Sequence, residues 1–313
     1  MAERQRKYLI RPATRAFINE ARQAEDYSLA KFIHGYVYAR WIYHYIQVGR
    51  GRHWLARVFG VPFKCISKLL PKMGPDDNPL ASGTMADGYH GKVLPLETAQ
   101  RLISVQEDIV LRDLEKVVPY PVARDIILKN PDHIVVIDCP CRATSDNPCL
   151  PMDVCMVIGE PMTSMVREYH PQRSRLVTQE EASAILEAEH ERGHVHHAFF
   201  KDAIMGRYYA ICNCCSCCCA GMHAHRNGVP MLASSGYECQ VQEDLCSGCE
   251  SCVDICPFEA ISVADGLAQV DQARCMGCGV CVSQCTQGAL ELARNPARGE
   301  PLEIFELIAE SQV

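Results

Sequence analysis

The sequence predicts an α+β chain in three parts: a helical amino-terminal head, an α/β middle domain with cysteine-rich loops, and a cysteine-dense carboxy-terminal repeat. Three observations predict it. Charge is split, with 14 Lys+Arg against 4 Asp+Glu in residues 1–72 and 17 against 34 in 73–313, beneath a net charge of −7. Cysteine is split the opposite way, since of 20 cysteines only Cys65 precedes Cys139. Between these extremes, helical and strand-like hydrophobic patterns alternate. At 313 residues the chain is long enough for about two domains. Its 48% hydrophobic and 22% charged composition excludes general disorder. No apolar run is long enough to span a bilayer. The opening MAERQRKYLIRPATR has basic residues but neither an apolar core nor a twin arginine, so a secretory leader is not expected. The expected location is cytoplasmic, where clustered cysteines bind metal or do redox chemistry rather than form a disulfide scaffold.

The head, residues 1–72, holds 12 of the 22 aromatic residues and both tryptophans. Leu29, Phe32, Ile33, Tyr36 and Val37 fall on one helical stripe, and Tyr38, Ile42, Tyr45 and Ile46 cover other faces. Such a helix needs burial on more than one side, against the α/β body or a partner subunit. The alternative is contact with the inner membrane surface through residues 27–59, where Trp and Tyr alternate with Arg. Nucleic acid is not an expected partner: no recognition motif appears, and the rest of the chain is acidic.

Residues 73–91, in the Pro/Gly/Asp-rich run PKMGPDDNPLASGTMADGYHG, read as a linker. The middle domain, 92–239, opens with helical patterns over 96–116 and 121–130. IVVID (134–138) is a β-branched strand running into Cys139. A helix starts at Thr178, which forms a capping box with Glu181, and stops at Gly193. VHHAFF and RYYAIC follow as strands, the second reaching Cys212.

The region 240–295 carries the strongest signal. Residues 246–257 read CSGCESCVDICP and residues 275–286 read CMGCGVCVSQCT, the same C-x2-C-x2-C-x3-C spacing at an offset of 29. Cysteines at this spacing wrap a corner of an iron–sulfur cube, and Gly248, Gly277 and Gly279 let the backbone approach it. Paired zinc sites are the weaker reading, because x3 followed by Pro is not a zinc-ribbon spacing. On these motifs the segment resembles the bacterial dicluster ferredoxins. The resemblance implies two βαβ-like halves and two [4Fe-4S] clusters, one on Cys246, Cys249, Cys252 and Cys285, the other on Cys275, Cys278, Cys281 and Cys256. One departure is Thr286, which stands where the first motif has Pro257. Its N–H and hydroxyl beside Cys285 predict a modest difference in potential between the clusters. An acidic tail or helix, 296–313, closes the chain.

A second cysteine system lies in the middle domain. Cys139, Cys141, Cys149 and Cys155 form CPCRATSDNPCLPMDVC, and Cys212, Cys214, Cys215, Cys217, Cys218 and Cys219 form CNCCSCCC. So many free thiols would oxidise, so a subset is expected to ligate one or two additional iron–sulfur clusters, with zinc as the alternative occupant. Cys65 and Cys239 read as ordinary. With these segments, residues 120–295 resemble a wider group of multi-cluster iron–sulfur proteins of anaerobic microbes. That resemblance implies metal binding and low-potential electron transfer and names no substrate.

His190-Glu191-Arg192-Gly193-His194 matches the zinc-protease pattern, but Gly193 is expected to end the helix before His194. His194, His196 and His197 remain candidate catalytic or proton-carrying residues, with His223 and His225 weaker ones. Arg142 is either solvated or offsets cluster charge. The expected function is electron transfer with a redox partner protein or larger complex. The acidic region 240–313, with 12 Asp+Glu and 3 Arg, suits a basic partner. The alternative is an oxidoreductase whose ferredoxin module feeds a catalytic cluster or thiol site built from 139–155 and 212–219.

Overall fold

The computed structural model describes residues 10–24, 27–54 and 84–312. Cys65 and residues 73–83 of the expected linker lie outside these. The head contributes α1 (Pro12–Gln23), α2 (Leu29–Arg40) and α3 (Ile42–Gly49). Pro12 starts α1 at a position where a missing N–H costs nothing, and the Ser28 hydroxyl caps α2 by accepting from the Lys31 N–H at 3.3 Å. Of the several faces expected to be buried, the one that carries Tyr38 is buried deepest, while part of the Leu29 stripe is exposed. Leu29 and Ile33 are 73% and 52% exposed, whereas Gly35, Tyr38 and Ala39 are buried. The reason is close approach: a Cβ on Gly35 would lie 1.9 Å from the Ala203 carbonyl oxygen, so the helix docks by its glycine face.

The sequence suggested a linker as far as Gly91, yet α4 (Thr84–Gly88) and β1 (Tyr89–Leu94) already occupy its end. Five of the six residues of β1 are buried, which makes it an inner strand. The helix expected over 96–116 is only α5 (Leu96–Ile103), followed by β2 (Ile109–Leu111). The one expected over 121–130 is instead β3 (Ile126–Leu128), paired with β2. Asp113, Ala123 and Asn130 adopt positive φ, which breaks a helix, and the Ile-rich triplets favour strand.

The next elements are β4 (Ile134–Asp138), α6 (Pro140–Ala143), β5 (Asp153–Ile158), α7 (Met162–Tyr169), β6 (Ser174–Val177), α8 (Gln179–Glu191), β7 (Val195–Lys201) and β8 (Arg207–Cys214). Then come α9 (Ala220–Arg226) and β9 (Leu232–Ala233). The capping box is present, with the Glu181 N–H on the Thr178 hydroxyl at 3.1 Å. Seven strands form one sheet in the order β6-β4-β5-β8-β7-β1-β9, antiparallel except for β1 and β9. Alternate residues face opposite sides of a strand. Ile134, Val136, Met156 and Ile211 therefore pack with α5 and α8 on one face. Val135, Ile137, Cys155, Phe199 and Tyr209 pack with the head and α7 on the other.

The carboxy-terminal module is β10 (Tyr237–Val241), α10 (Ser251–Ile255), β11 (Ile261–Ala264), β12 (Leu267–Val270), α11 (Val280–Gln284) and β13 (Leu290–Arg294). β10 pairs with β13 and β11 with β12, giving two β-α-β halves. The Asp265-Gly266 pair, both at positive φ, makes the two-residue hairpin turn between β11 and β12. The last helix, α12 (Ile304–Ser311), is not a free acidic tail. Leu302 and Ile304 are buried in the core, and Glu303 accepts from Thr98 and pairs with Arg101 of α5.

Candidate metal centres

The repeated motifs close around two hollows. One is lined by Cys246, Cys249, Cys252 and Cys285 together with Gly248 and Ala289. The other is lined by Cys275, Cys278, Cys281 and Cys256. In each quartet the fourth cysteine comes from the opposite repeat, because a short helix, α10 or α11, carries the chain across between the third and fourth positions. Backbone N–H groups point at the sulfurs: Ala260 to Cys256 at 3.3 Å, Ala289 to Cys285 at 3.3 Å and Ala268 to Cys246 at 3.4 Å. The donors at Cys256 and Cys285 are related by the repeat, and among the described residues the donor at Cys285 is Ala289 rather than Thr286. Gly277 sits at φ +64°, where a Cβ would meet the Tyr237 carbonyl at 2.2 Å, so it lets the motif loop press against β10. The first hollow is near the surface, with Cys249 exposed, while Cys275, Cys278 and Cys281 are buried. Four thiols around a cavity with N–H donors on the sulfurs suit an iron–sulfur cube.

Cys239 departs from its expected ordinary role. It projects from β10 into the second hollow, with its sulfur 3.6 Å from that of Cys281. Its lone place in the sequence carries no signal of this, because the contact is made only by strand pairing.

The ten middle cysteines divide into two groups. In the first, Cys139 is flanked by Cys141 and Cys155, Cys155 by Cys212, Cys141 by Cys219, and Cys219 by Cys214. This sulfur chain lies on the head-facing side of the sheet, where Cys139 follows β4, Cys155 is in β5 and Cys212 and Cys214 are in β8. The Ala220 N–H reaches the Cys141 sulfur at 3.5 Å. The head roofs this pocket. The Tyr38 and Tyr209 hydroxyls bond at 2.7 Å, and Tyr43 donates to the Asp138 carbonyl at 3.0 Å. Arg50 donates to the Cys141 carbonyl at 2.8 Å, and Arg52 to that of Thr144 at 3.0 Å. Buried Lys201 lies against the rings of Tyr38, Tyr45 and Tyr89, 4.5–5.5 Å from their centres. Burial in this apolar setting lowers its pKa to about 8. This tyrosine–lysine roof was not read from the sequence.

The second group is Cys149, Cys215, Cys217 and Cys218, whose sulfurs all lie within 4.8 Å of one another. The Cys218 N–H donates to the Cys215 sulfur at 3.3 Å. Burial raises the Cys217 thiol to about 11. Burial works the same way on Cys218, but the Cys149 N–H and the Ser145 hydroxyl outweigh it and lower that thiol.

Arg142 is fully buried rather than solvated. Its guanidinium pairs with Glu189 at 2.6 Å, approaches the His194 Nδ1 at 3.1 Å and donates to the carbonyls of Asn213 and Pro151. It thereby joins the two cysteine segments rather than meeting solvent. The three candidate histidines separate. His194 bonds to Glu189 at 2.7 Å, beyond Gly193 at φ +80°, off the axis of α8. His196 bonds Asn213 at 2.6 Å on the face away from the cysteines. His197 pairs across the strands with Cys212 and so shares the cysteine face. Both its ring nitrogens lack hydrogen-bond partners among the described residues, and burial lowers its pKa to about 3. His223 bonds the Ser216 carbonyl at 3.2 Å, and His225 stacks edge-on against Phe258.

The 4Fe-4S binding domain family matches residues 240–262 and 268–291, one segment for each repeat. No curated protein matches the chain. The carboxy-terminal module is thus of the ferredoxin type, which indicates iron–sulfur electron transfer.

Proposed function

We propose that the chain passes low-potential single electrons through two [4Fe-4S] clusters in its carboxy-terminal module and at least one further iron–sulfur cluster in the middle domain. The observation that carries this reading is the pair of four-cysteine hollows, each lined by one complete quartet. Cys246, Cys249, Cys252 and Cys285 would hold one cluster, and Cys275, Cys278, Cys281 and Cys256 the other. When bound, such clusters store and release one electron each. The protein's own residues supply N–H groups that favour charge on the sulfurs, and they exclude water from the second site. Cys139, Cys141, Cys155, Cys212, Cys214 and Cys219 would hold the further cluster beneath the tyrosine roof, in accord with the wider resemblance over 120–295. The exposed first hollow is the port for a redox partner protein. Leu29, Ile33, Trp41 and Trp54, all exposed on the head, offer a membrane or subunit contact. Among the described residues no helix is long and apolar enough to cross a membrane.

A second reading, an oxidoreductase with a catalytic centre at the six-cysteine pocket, draws on two features. Six thiols exceed one cluster's needs, and His197 is buried beside them with unpartnered nitrogens.

Anaerobic purification with iron and acid-labile sulfide counts and EPR tests the proposal. About twelve sulfides per chain, with interacting reduced clusters, are expected. About eight would remove the middle cluster, and none would overturn the reading.

A further inference from the structure

We propose that Cys149, Cys215, Cys217 and Cys218 bind a single tetrahedral divalent ion, zinc or ferrous iron, at a closed structural site separate from the iron–sulfur pockets. An ion bound at about 2.3 Å from each of four thiolates holds those sulfurs about 3.8 Å apart. The four sulfurs here all fall within 4.8 Å of one another, and those of Cys217 and Cys218 are 3.5 Å apart.

The same molecule supplies the contrast. A cube needs its four cysteine sulfurs spread around a body of irons and sulfides, and the two ferredoxin quartets line separate hollows in that way. Among the described residues, only the Cys149 group brings three or more ligand atoms this close together. Sulfurs this close together suit one ion at their centre rather than a cube.

Chemistry and burial agree with this. Four thiolates complete a tetrahedral shell and leave no open position, the mark of a structural site. Cys215 and Cys218 are buried, Cys149 is half-buried and Cys217 is exposed, so the site lies at the surface with one ligand at its rim. The loop is oriented from outside the shell. Arg226 donates to the Ser216 carbonyl at 3.0 Å, and the Cys218 N–H to the Cys215 sulfur.

The ion's role follows from what it joins. Cys149 comes from the loop between α6 and β5, and the other three from the loop after β8. These two segments also supply the six-cysteine pocket, so the ion staples its rim. Arg226 also donates to the Pro257 carbonyl at 2.8 Å, next to Cys256, and so extends this junction to the ferredoxin module.

The proposal does not rest on the electron-transfer reading, and its test is independent of it. The full chain and its C217S and C149S/C217S variants are purified anaerobically. Metals are measured by mass spectrometry alongside acid-labile sulfide. The parent is also prepared with cobalt in the growth medium. Loss of one metal per chain with sulfide unchanged is expected in the double variant, together with loss of the visible bands of tetrahedral cobalt–thiolate. Whether zinc or iron disappears identifies the ion. Loss of four irons together with four sulfides would show a cube and overturn the proposal, as would no change in metal. If the double variant does not fold, C217S decides. Its exposed ligand is expected to weaken the ion without changing sulfide, so that a chelator strips one metal per chain faster than from the parent. Equal stripping rates overturn the proposal.

Discussion

Single residues around the six-cysteine pocket are arranged at an energetic cost. Arg142 and Glu189 form a buried ion pair, and such a pair, broken on one side, leaves an uncompensated charge. Lys201 is costlier because no salt bridge holds it among the described residues: tyrosine rings lie against its ammonium, and the charge of neighbouring Asp202 only partly offsets its burial. Its pKa falls from 10.5 to about 8 in the fold. The sign of its pH effect follows. Above 10.5 the amine is neutral folded and unfolded, and costs nothing. Between 10.5 and 8 the unfolded chain takes up the proton first, so stability falls as pH falls, and below 8 the loss is complete. Full loss is about 3 kcal/mol. Lys201→Met removes this dependence. The variant is expected to gain most over the parent at pH 8, with the gap narrowing towards pH 10, in thermal midpoints measured at half-unit steps. A gap that stays constant with pH would refute it.

At the level of elements, the head is held by shape. Gly35 brings α2 against the Ala203 carbonyl, and the Tyr27 hydroxyl donates to the same oxygen at 2.7 Å. The head then reaches the cysteine loop through Arg50 and Arg52. Gly35→Ala forces α2 outward, a repacking cost of about 1–3 kcal/mol. Faster hydrogen exchange is expected in residues 29–49 and, through the lost Arg50 contacts, in 141–146. Unchanged exchange in both would show that α2 does not hold the roof. The same glycine shows where sequence reading failed. Periodicity identified a helix with several apolar faces but did not rank them, because a glycine scores nothing as a core residue although its backbone packs closest. Local signals served well elsewhere. IVVID, the Thr178 cap and the strands before Cys212 follow from β-branching and capping. The 29-residue repeat made the two ferredoxin halves visible. What remained hidden was the partition of the ten middle cysteines into six and four, and the place of Cys239. Both are set by which strands lie side by side, a long-range property that spacing along the chain does not encode.

Across the whole molecule, the charge split acquires a direction. The positive head is partly consumed within the chain, since Arg50 and Arg52 bind carbonyls of the cysteine loop. Glu243, Asp244 and Glu250 are exposed on the segment that also carries exposed Cys249, and Glu250 lines the first hollow. The second hollow is buried, and its Cys256 adjoins the Arg226 bridge to the middle domain. At the first hollow, where electrons enter as proposed, Glu250 lies in the lining and Glu243 and Asp244 stand a few residues away in the chain. A field of one sign at an entry raises the encounter rate of oppositely charged reactants, and salt erases the effect over a Debye length of about 10 Å at 0.1 M. With matched driving force, a cationic one-electron oxidant is expected to reoxidise the reduced protein faster than an anionic one at low ionic strength. The two rates should converge as salt rises. Replacing Glu243, Asp244 and Glu250 with Gln, Asn and Gln should remove most of the difference without altering the iron and sulfide content. Stopped-flow reoxidation over a salt series measures this. Equal rates for both oxidants in the parent at low salt would mean that electrons leave elsewhere, and the first hollow would lose its role as the port.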